Sequence, residues 1–431
     1  MRIFFSVGEP SGDLHGANLI RELRQRDSQI QCVGYGGPRM ADAGCQLHED
    51  LTRLAVMWLL RVLLNLHHFV SLLRSADRYF REAKPDAVVL IDYPGFNWWM
   101  ARAAKKNGIP VFYYGVPQLW AWAEWRIKKM RRFVDHLLCK LPFEEKWYRD
   151  RGCDAIYVGH PFFDETSRHE LDEHYLASLQ LVETQPLVTI LPGSRTQEVK
   201  GNLPSFLQTV AKVQRQVPNV RFVIAAFDGK QAAAARQLVI ESGQLVEVFA
   251  SKAPELIHAA TCCLACSGSV SLELLAYEKP TVILYRVSPL ALFAQSFFRK
   301  VQYITLVNLL ACKNAFPDKV TTFDPDAPRA EDIPFPEYLT SADKSPEMAA
   351  HITSWLTDDQ ALSRRIGQLR ELKARFAHRG ASATAADYIL GKLSGTQHDQ
   401  PSHRSTRIDS PEVSAPHTED RSHVTAKDRH F

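Results

Sequence analysis

One shape recurs along this chain: a near-continuous apolar run that ends in glycine, proline or a small polar residue, followed by a helical pattern. In the first half the runs are RIFFSVG, IQCVGYGG, DAVVLID, IPVFYYGVP, HLLCKLP and AIYVGHP; in the second they are LVTILPGS, RFVIAAF, LVEVFA, CLACSGS and PTVILYR. A strand that is apolar on both faces must be covered on both faces, which means parallel sheets flanked by helices. Two such sets in 431 residues predict an α/β protein of two doubly wound domains. Ligands then belong at the carboxyl ends of the strands, in the cleft between the domains. The expected division is residues 1–165, then 166–346, with the boundary after GHPFFDE in the polar stretch Thr166 to Gln185. Residues 347–393 are helical in pattern and are expected to pack back across the junction. Residues 394–431, rich in Ser, Thr, His, Asp, Arg and Pro, read as a disordered tail.

A formal charge of +4 is too small to argue for nucleic acid as a partner. No charged stretch followed by an apolar one opens the sequence, so the expectation is a cytoplasmic protein. The eight cysteines are scattered, which fits a reducing compartment. Cys262, Cys263 and Cys266 cluster in TCCLACSG, where buried thiols are the better reading than a metal site. Asp324-Pro325-Asp326 has the spacing of a metal-binding D-x-D, but in a proline-rich loop it reads as turn chemistry. No metal or cofactor is expected.

The opening RIFFSVGEPSGDLHGANLI places Gly8, Gly12 and Gly16 four apart between a strand and a helix expected to start at Asp13. Such a loop usually aims N–H groups at an anion. Glu9 and Asp13 would repel a phosphate held against them, so the loop is expected to face another part of the ligand. In LVTILPGSRTQEVKGN a buried strand ends at Leu191, Pro192-Gly193 turns, and Ser194 with Gln197 forms a capping-box pattern. Free N–H groups, a helix dipole and Arg195 at one point suit a pyrophosphate, although an ordinary capped helix would read the same way on this stretch alone. CLACSGSVSLELL repeats the plan: Ser267, Gly268 and Ser269 form a small-residue loop, and Glu273 one turn into the helix is placed to accept from ribose hydroxyls. Together the two loops describe a nucleoside diphosphate site in the second domain. In the first, DAVVLIDYPGFN sets Asp92 at the end of a buried strand, where a carboxylate is costly without a task. It is the first candidate for a general base, with Glu9 the second.

LAVMWLLRVLLNLHHFVSLLR, residues 54–74, is apolar around most of a helix but broken by Arg61. A membrane span is not expected; a core helix or an interfacial one fits, with Met57, Trp58, Leu59, Leu63 and Phe69 as anchors in the second case. Trp120, Trp122 and Trp125 precede the basic run Arg126 to Arg132, which suits anionic lipid or a phosphorylated substrate, or a solvated helix face.

GEPSGDLHGA, IDYPGFN, the WAW-to-RxxKM stretch, VGHP, LPGSR, SGSVSLELL and YRVSPL, in this order from Arg2 to about Leu393, resemble the lipid-A-disaccharide synthase family. The resemblance implies a GT-B glycosyltransferase that joins UDP-2,3-diacylglucosamine to 2,3-diacylglucosamine 1-phosphate. The products it implies are a β-1,6-linked disaccharide 1-phosphate and UDP. It implies a metal-independent enzyme, peripheral on the cytoplasmic face of the inner membrane, with a homodimer left open. By the same match Asp92 corresponds to the proposed base, and Arg195 and Glu273 to donor-nucleotide residues. Glu9 and Ser11 belong to the opening loop, and Asp13, Asn97 and Asn308 join Ser11 on the acceptor side. The chain departs from the family at Gly95, where an acidic residue is common, and in LVNLLACKNAFPDKV. There the usual PE reappears only at Pro336-Glu337, so residues 317–334 look inserted. A UDP-sugar 2-epimerase, which shares the architecture, and a catalytically silent lipid- or nucleotide-binding protein are the alternatives.

Overall fold

The computed structural model describes residues 1–52, 66–166, 168–180, 182, 185–328 and 330–395. The first sheet contains β1 (Arg2–Val7), β2 (Gln31–Gly36), β3 (Gln46–Asp50), β4 (Ala87–Ile91), β5 (Val111–Tyr114), β6 (His136–Cys139) and β7 (Ala155–Tyr157). Their order is β3-β2-β1-β4-β5-β6-β7, all parallel. The second contains β8 (Leu187–Leu191), β9 (Arg221–Ala226), β10 (Glu247–Ala250), β11 (Cys262–Cys266), β12 (Thr281–Arg286) and β13 (Glu337–Thr340). Its order is β10-β9-β8-β11-β12-β13, again parallel. The strand order reverses between β1 and β4 and between β8 and β11. Those two switch points open crevices at the strands' carboxyl ends, and the candidate residues lie there.

Two strands lie outside the expected set. β3 is mostly exposed and carries the polar sequence QLHED, so it lacks an apolar run; β13 begins with the Pro336-Glu337 pair displaced by the inserted-looking segment.

The helices that shape the site are α1 (Pro10–Arg26), α2 (Pro38–Asp42), α3 (Leu66–Ala83), α4 (Pro94–Lys106), α5 (Ile127–Phe133) and α6 (Pro142–Arg149) in the first half. In the second they are α7 (Thr196–Gln216), α8 (Val270–Ala276), α9 (Pro289–Phe298) and α10 (Leu306–Ala311). Last come α11 (Ser345–Thr357), α12 (Asp359–Phe376) and α13 (Ala381–Leu393). α1 starts at Pro10 rather than Asp13, because proline at the first helical position has no N–H to leave unpaired. The glycine spacing of four is then a packing face. A Cβ on Gly12 would stand 2.9 Å from Val7, and one on Gly16 would stand 2.8 Å from the Met40 sulfur.

The last three helices touch both halves. α11 packs on α7 and α12 on α8, whereas α13 packs on α1. The Asp164 carboxylate accepts the backbone N–H groups of Gly380 (2.6 Å), Ala381 (3.3 Å) and Ser382 (2.9 Å), which fixes the start of α13 on the first domain. Arg26 pairs with Asp387 along the same contact.

Candidate active site

Asp92 and Tyr93 follow β4 in left-handed backbone conformation, with φ of +47° and +45°. Such a conformation costs of order 1–3 kcal/mol per non-glycine residue and needs support. Asn97 supplies it from the first turn of α4. Its Nδ2 donates to the carbonyls of Asp92 (2.8 Å), Ser6 (3.2 Å) and Ile91 (3.3 Å), while its Oδ1 accepts from Ser6 Oγ at 2.7 Å. Tyr113 O–H donates to the Asp92 carbonyl at 2.7 Å. Asn97, expected on the acceptor side, is thus fully buried and acts as the clamp that aims Asp92.

Lys140 was not among the expected residues. It follows β6, and its ammonium reaches across the end of β5 to donate to Asp92 Oδ1 at 3.2 Å. The crossing works because Gly115 follows β5 with φ +72°: a Cβ there would lie 3.2 Å from the lysine Cε and Nζ. Burial alone would lower Lys140, but the carboxylates of Asp92, Glu144 and Glu9 outweigh it and hold the ammonium raised. With Oδ1 held this way, Oδ2 turns toward Gly12 of α1. Lys140 sits in a run that reads simply as a buried strand, HLLCKLP; the signal was a lysine at a strand end.

Glu9 ends the β1 loop. Its carboxyl is raised first by burial in the cleft and then by the Asp92 charge, with Lys140 and Arg195 pulling it back. The Arg195 charge, on the second domain, is the smallest of those acting on Glu9. His15 and His160 stand behind, 6.4 Å apart edge to face, and burial keeps both imidazoles neutral, His15 at about 4. Ser11 is exposed at the start of α1. Asp13 corrects the expectation for it: its carboxylate accepts the N–H groups of Gly37 (2.9 Å), Arg39 (3.1 Å) and Met40 (3.1 Å) and so caps α2. Asn308 is also structural. It exchanges hydrogen bonds with the Phe335 backbone (2.7 and 3.0 Å) and donates to buried Glu337 at 2.9 Å, tying α10 to β13.

On the second domain Gly193 has φ +130°, and a Cβ there would sit 2.4 Å from that of Glu198. Only glycine fits this turn. The capping box differs from the expected Ser194–Gln197 pair. The helix N-cap is Arg195, and Glu198 folds back to accept the N–H groups of Ser194 (3.0 Å) and Arg195 (3.1 Å) and the Arg195 guanidinium (2.8 Å). A carboxylate therefore already occupies the anion position at this helix end, and Arg195, 78% exposed, is free to swing to an incoming phosphate. Ser267, Gly268 and Ser269 form the exposed-to-half-buried loop before α8. Asp324 accepts the Asp326 N–H at 3.0 Å, a turn as read from the sequence.

Of the apolar segment, Met57, Trp58, Leu59 and Leu63 lie outside the described residues. Phe69, expected as an anchor, is instead half-buried on α3, with its ring 5.8 Å from that of Phe96, and packs on the core.

Residues 3–333 match the model of the lipid-A-disaccharide synthetase family. A lipid-A-disaccharide synthase of Anaeromyxobacter sp. is 33% identical over 91% of this chain and 97% of its own length. One of Coxiella burnetii is 36% identical over 72% of this chain and 81% of its own. The chain belongs to the lipid-A-disaccharide synthetase family. It is a glycosyltransferase of that family, with the two-domain GT-B fold. Among solved structures, Staphylococcus aureus MnaA with UDP superposes with a TM-score of 0.60 at 10% identity, over 91% of this chain and 97% of that one. UDP-GlcNAc 2-epimerase of Neisseria meningitidis, bound to UDP-GlcNAc, gives 0.59 at 11%, over 92% and 100%. The glycosyltransferase of kitacinnamycin gives 0.56 at 16%, over 91% and 99%. These likenesses establish the fold alone.

In this family member Glu273 has a carboxyl raised to about 7, by burial first and the neighbouring Glu255 second. A raised carboxyl favours the folded state below its unfolded value near 4.5, and that contribution is lost as pH rises through about 7. Ribose hydroxyls set against Glu273, the contact expected from the sequence, would as donors favour the ionised form. UDP-sugar affinity is therefore expected to fall as pH drops below about 7, by up to about tenfold per unit. Glu273→Gln should flatten the profile. Calorimetry on a UDP-sugar, whose phosphates do not titrate in this range, checks it, and a flat wild-type profile would remove Glu273 from the ribose.

Proposed function

We propose that the chain transfers 2,3-diacylglucosamine from its UDP derivative to 2,3-diacylglucosamine 1-phosphate, with inversion, giving the β-1,6 disaccharide 1-phosphate and UDP. Family membership supports the reaction. The observation that carries the mechanism is Asp92, fixed at the carboxyl end of β4 by Asn97 and Lys140. The acceptor 6-hydroxyl donates to Asp92 Oδ2 and attacks the anomeric carbon as the bond to the UDP oxygen breaks. The proton passes to Asp92, and the charge on departing UDP is met by the Arg195 guanidinium. Neither step uses a metal ion. Incubation with UDP-GlcNAc alone separates this reading from an epimerase, which would return a 2-epimer where the transferase returns unchanged sugar nucleotide.

The same proposal places the enzyme on the cytoplasmic surface of the inner membrane. No helix among the described residues is long and apolar enough to cross a membrane. α9 instead exposes Leu290, Phe293, Phe297 and Phe298, and its end is joined to the tryptophan turn by Lys300 N–H donating to Ala121 O at 2.9 Å. That turn exposes Trp122 and Trp125, with the Arg126 guanidinium 5.1 Å from the Trp122 ring centre, and α5 adds exposed Lys128, Lys129, Arg131 and Arg132. Apolar rings beside cations suit an anionic bilayer. Phe293→Ser with Phe297→Ser should lower co-sedimentation with phosphatidylglycerol vesicles by about tenfold or more, since each ring is worth about 1.5–3 kcal/mol when buried. UDP-sugar affinity should stay unchanged; undiminished vesicle binding would exclude α9 as the docking face.

A further inference from the structure

Glu144 stands at the third position of α6 and is fully buried. Its Oε2 accepts the N–H groups of Lys140 (2.9 Å) and Leu141 (3.0 Å), which closes the start of the helix. That cap accounts for one oxygen only. Oε1 accepts from the Trp120 indole N–H at 3.0 Å. The indole is itself buried, with the Phe143 ring 5.0 Å and the Phe316 ring 6.1 Å away. A carboxylate taken wholly out of water is costly unless its charge is answered. Lys140 answers it: after Asp92, Glu144 is the strongest of the charges that keep the ammonium raised. The same ammonium donates to Asp92 Oδ1 at 3.2 Å. Trp120, Glu144, Lys140 and Asp92 thus form one chain of contacts that ends on the base.

We infer that Glu144, locked by the Trp120 indole, is a positioning residue for the base: it fixes the root of Lys140 and shares the lysine charge with Asp92. This rests on the reading of Asp92 as the base given above. A positive charge beside a carboxylate lowers its affinity for protons, and a negative one restores it. An ammonium given wholly to Asp92 would leave a firm ion pair and a poor proton acceptor. With Glu144 ionised, the ammonium is engaged on two sides, so Oδ1 stays anchored while Oδ2 can still take a proton. The ionised form of Glu144 is therefore the working one.

Burial raises the Glu144 carboxyl to about 7, against the indole, Lys140 and the two backbone N–H groups, which favour the ion. Cys139 of β6, Tyr148 of α6 and Tyr157 of β7 also feel its charge, and burial pushes all three up, away from the neutral range. Turnover is expected to fall as pH drops through about 7 and Glu144 takes up its proton.

The test reads kcat against pH with both lipid substrates saturating, so that the Glu273 dependence of donor affinity does not enter. Glu144→Gln keeps the volume and one acceptor oxygen; kcat is expected to fall about tenfold, the cost of a slightly misplaced catalytic group, and the acid limb near pH 7 to vanish. Trp120→Phe removes the indole donor that favours the ion, so the limb should move to higher pH by about one unit. In a Lys140→Met background Glu144→Gln should cost less than about twofold more, because residues that act through one another are not additive. A loss that persists undiminished in that background overturns the inference and leaves Glu144 a helix cap. A Glu144→Gln enzyme with wild-type rate and profile, where Asp92→Asn is inactive, overturns it too and leaves the base standing. If Glu144→Gln does not fold, Trp120→Phe decides, and an unmoved limb overturns it. A near-wild-type Asp92→Asn overturns the base itself, and the inference falls with it.

Discussion

Asp92→Asn is expected to leave the fold and UDP affinity in place and to lower turnover by roughly 10²-fold or more, the scale of a positioned general base. The fold should survive because asparagine is among the few residues that tolerate the left-handed conformation found at this position. The clamp from Asn97 and Tyr113 grips the Asp92 carbonyl, which the substitution keeps. Lys140 would still find an oxygen to bond, but the group left to meet the acceptor hydroxyl can no longer take its proton. A steady-state assay with both lipid substrates reads the effect, and circular dichroism confirms the fold. A near-wild-type rate would show that Asp92 is not the base and would pass the role to Glu9.

Arg195→Ala is expected to weaken UDP and to slow turnover, each by about 10–150-fold, because a charge-assisted contact to phosphate is typically worth about 1.5–3 kcal/mol. Its effect on stability should be small. The side chain is mostly exposed, and its ion pair to Glu198 at 2.8 Å is of the surface kind that contributes about 0–1 kcal/mol. Glu198 would keep the two backbone N–H groups it already caps, so the turn persists. Calorimetric titration of UDP together with an unchanged melting temperature isolates the phosphate contact. Unchanged affinity with an unchanged rate would take Arg195 out of the site.

The apolar runs made most of the fold legible, because buried parallel strands announce themselves by continuous hydrophobicity. β3 and β13 escaped for want of such a run. Asp92 stands out in the sequence as a carboxylate at the end of a buried strand, where burial without a task is costly, and Glu9, Arg195 and Glu273 as charged groups in or just after the loops that follow strands. Asp13 and Asn97 have the same signature and turned out to hold backbone: a sequence shows that a buried polar group needs partners, but not whether the partners are ligand or main chain. Lys140 and Glu198 show the converse. Local pattern shows a lysine at a strand end and a glutamate in a first helical turn, but not that Lys140 passes Gly115 to reach Asp92 or that Glu198 folds back on its own helix end. Gly8, Gly12 and Gly16 were expected to shape a loop against the ligand, whereas close packing explains them: a Cβ on each would meet the Tyr93 ring, Val7 and Met40 respectively.

The most direct test is to incubate purified protein with UDP-2,3-diacylglucosamine and 2,3-diacylglucosamine 1-phosphate, and to read the products by mass spectrometry and the new linkage by NMR. Stoichiometric UDP and a tetraacyl disaccharide 1-phosphate with a β-1,6 bond are the expected products. An α-linked product would contradict direct displacement with Asp92 as base. Absence of any disaccharide, with both lipids recovered intact, would contradict the proposed function itself.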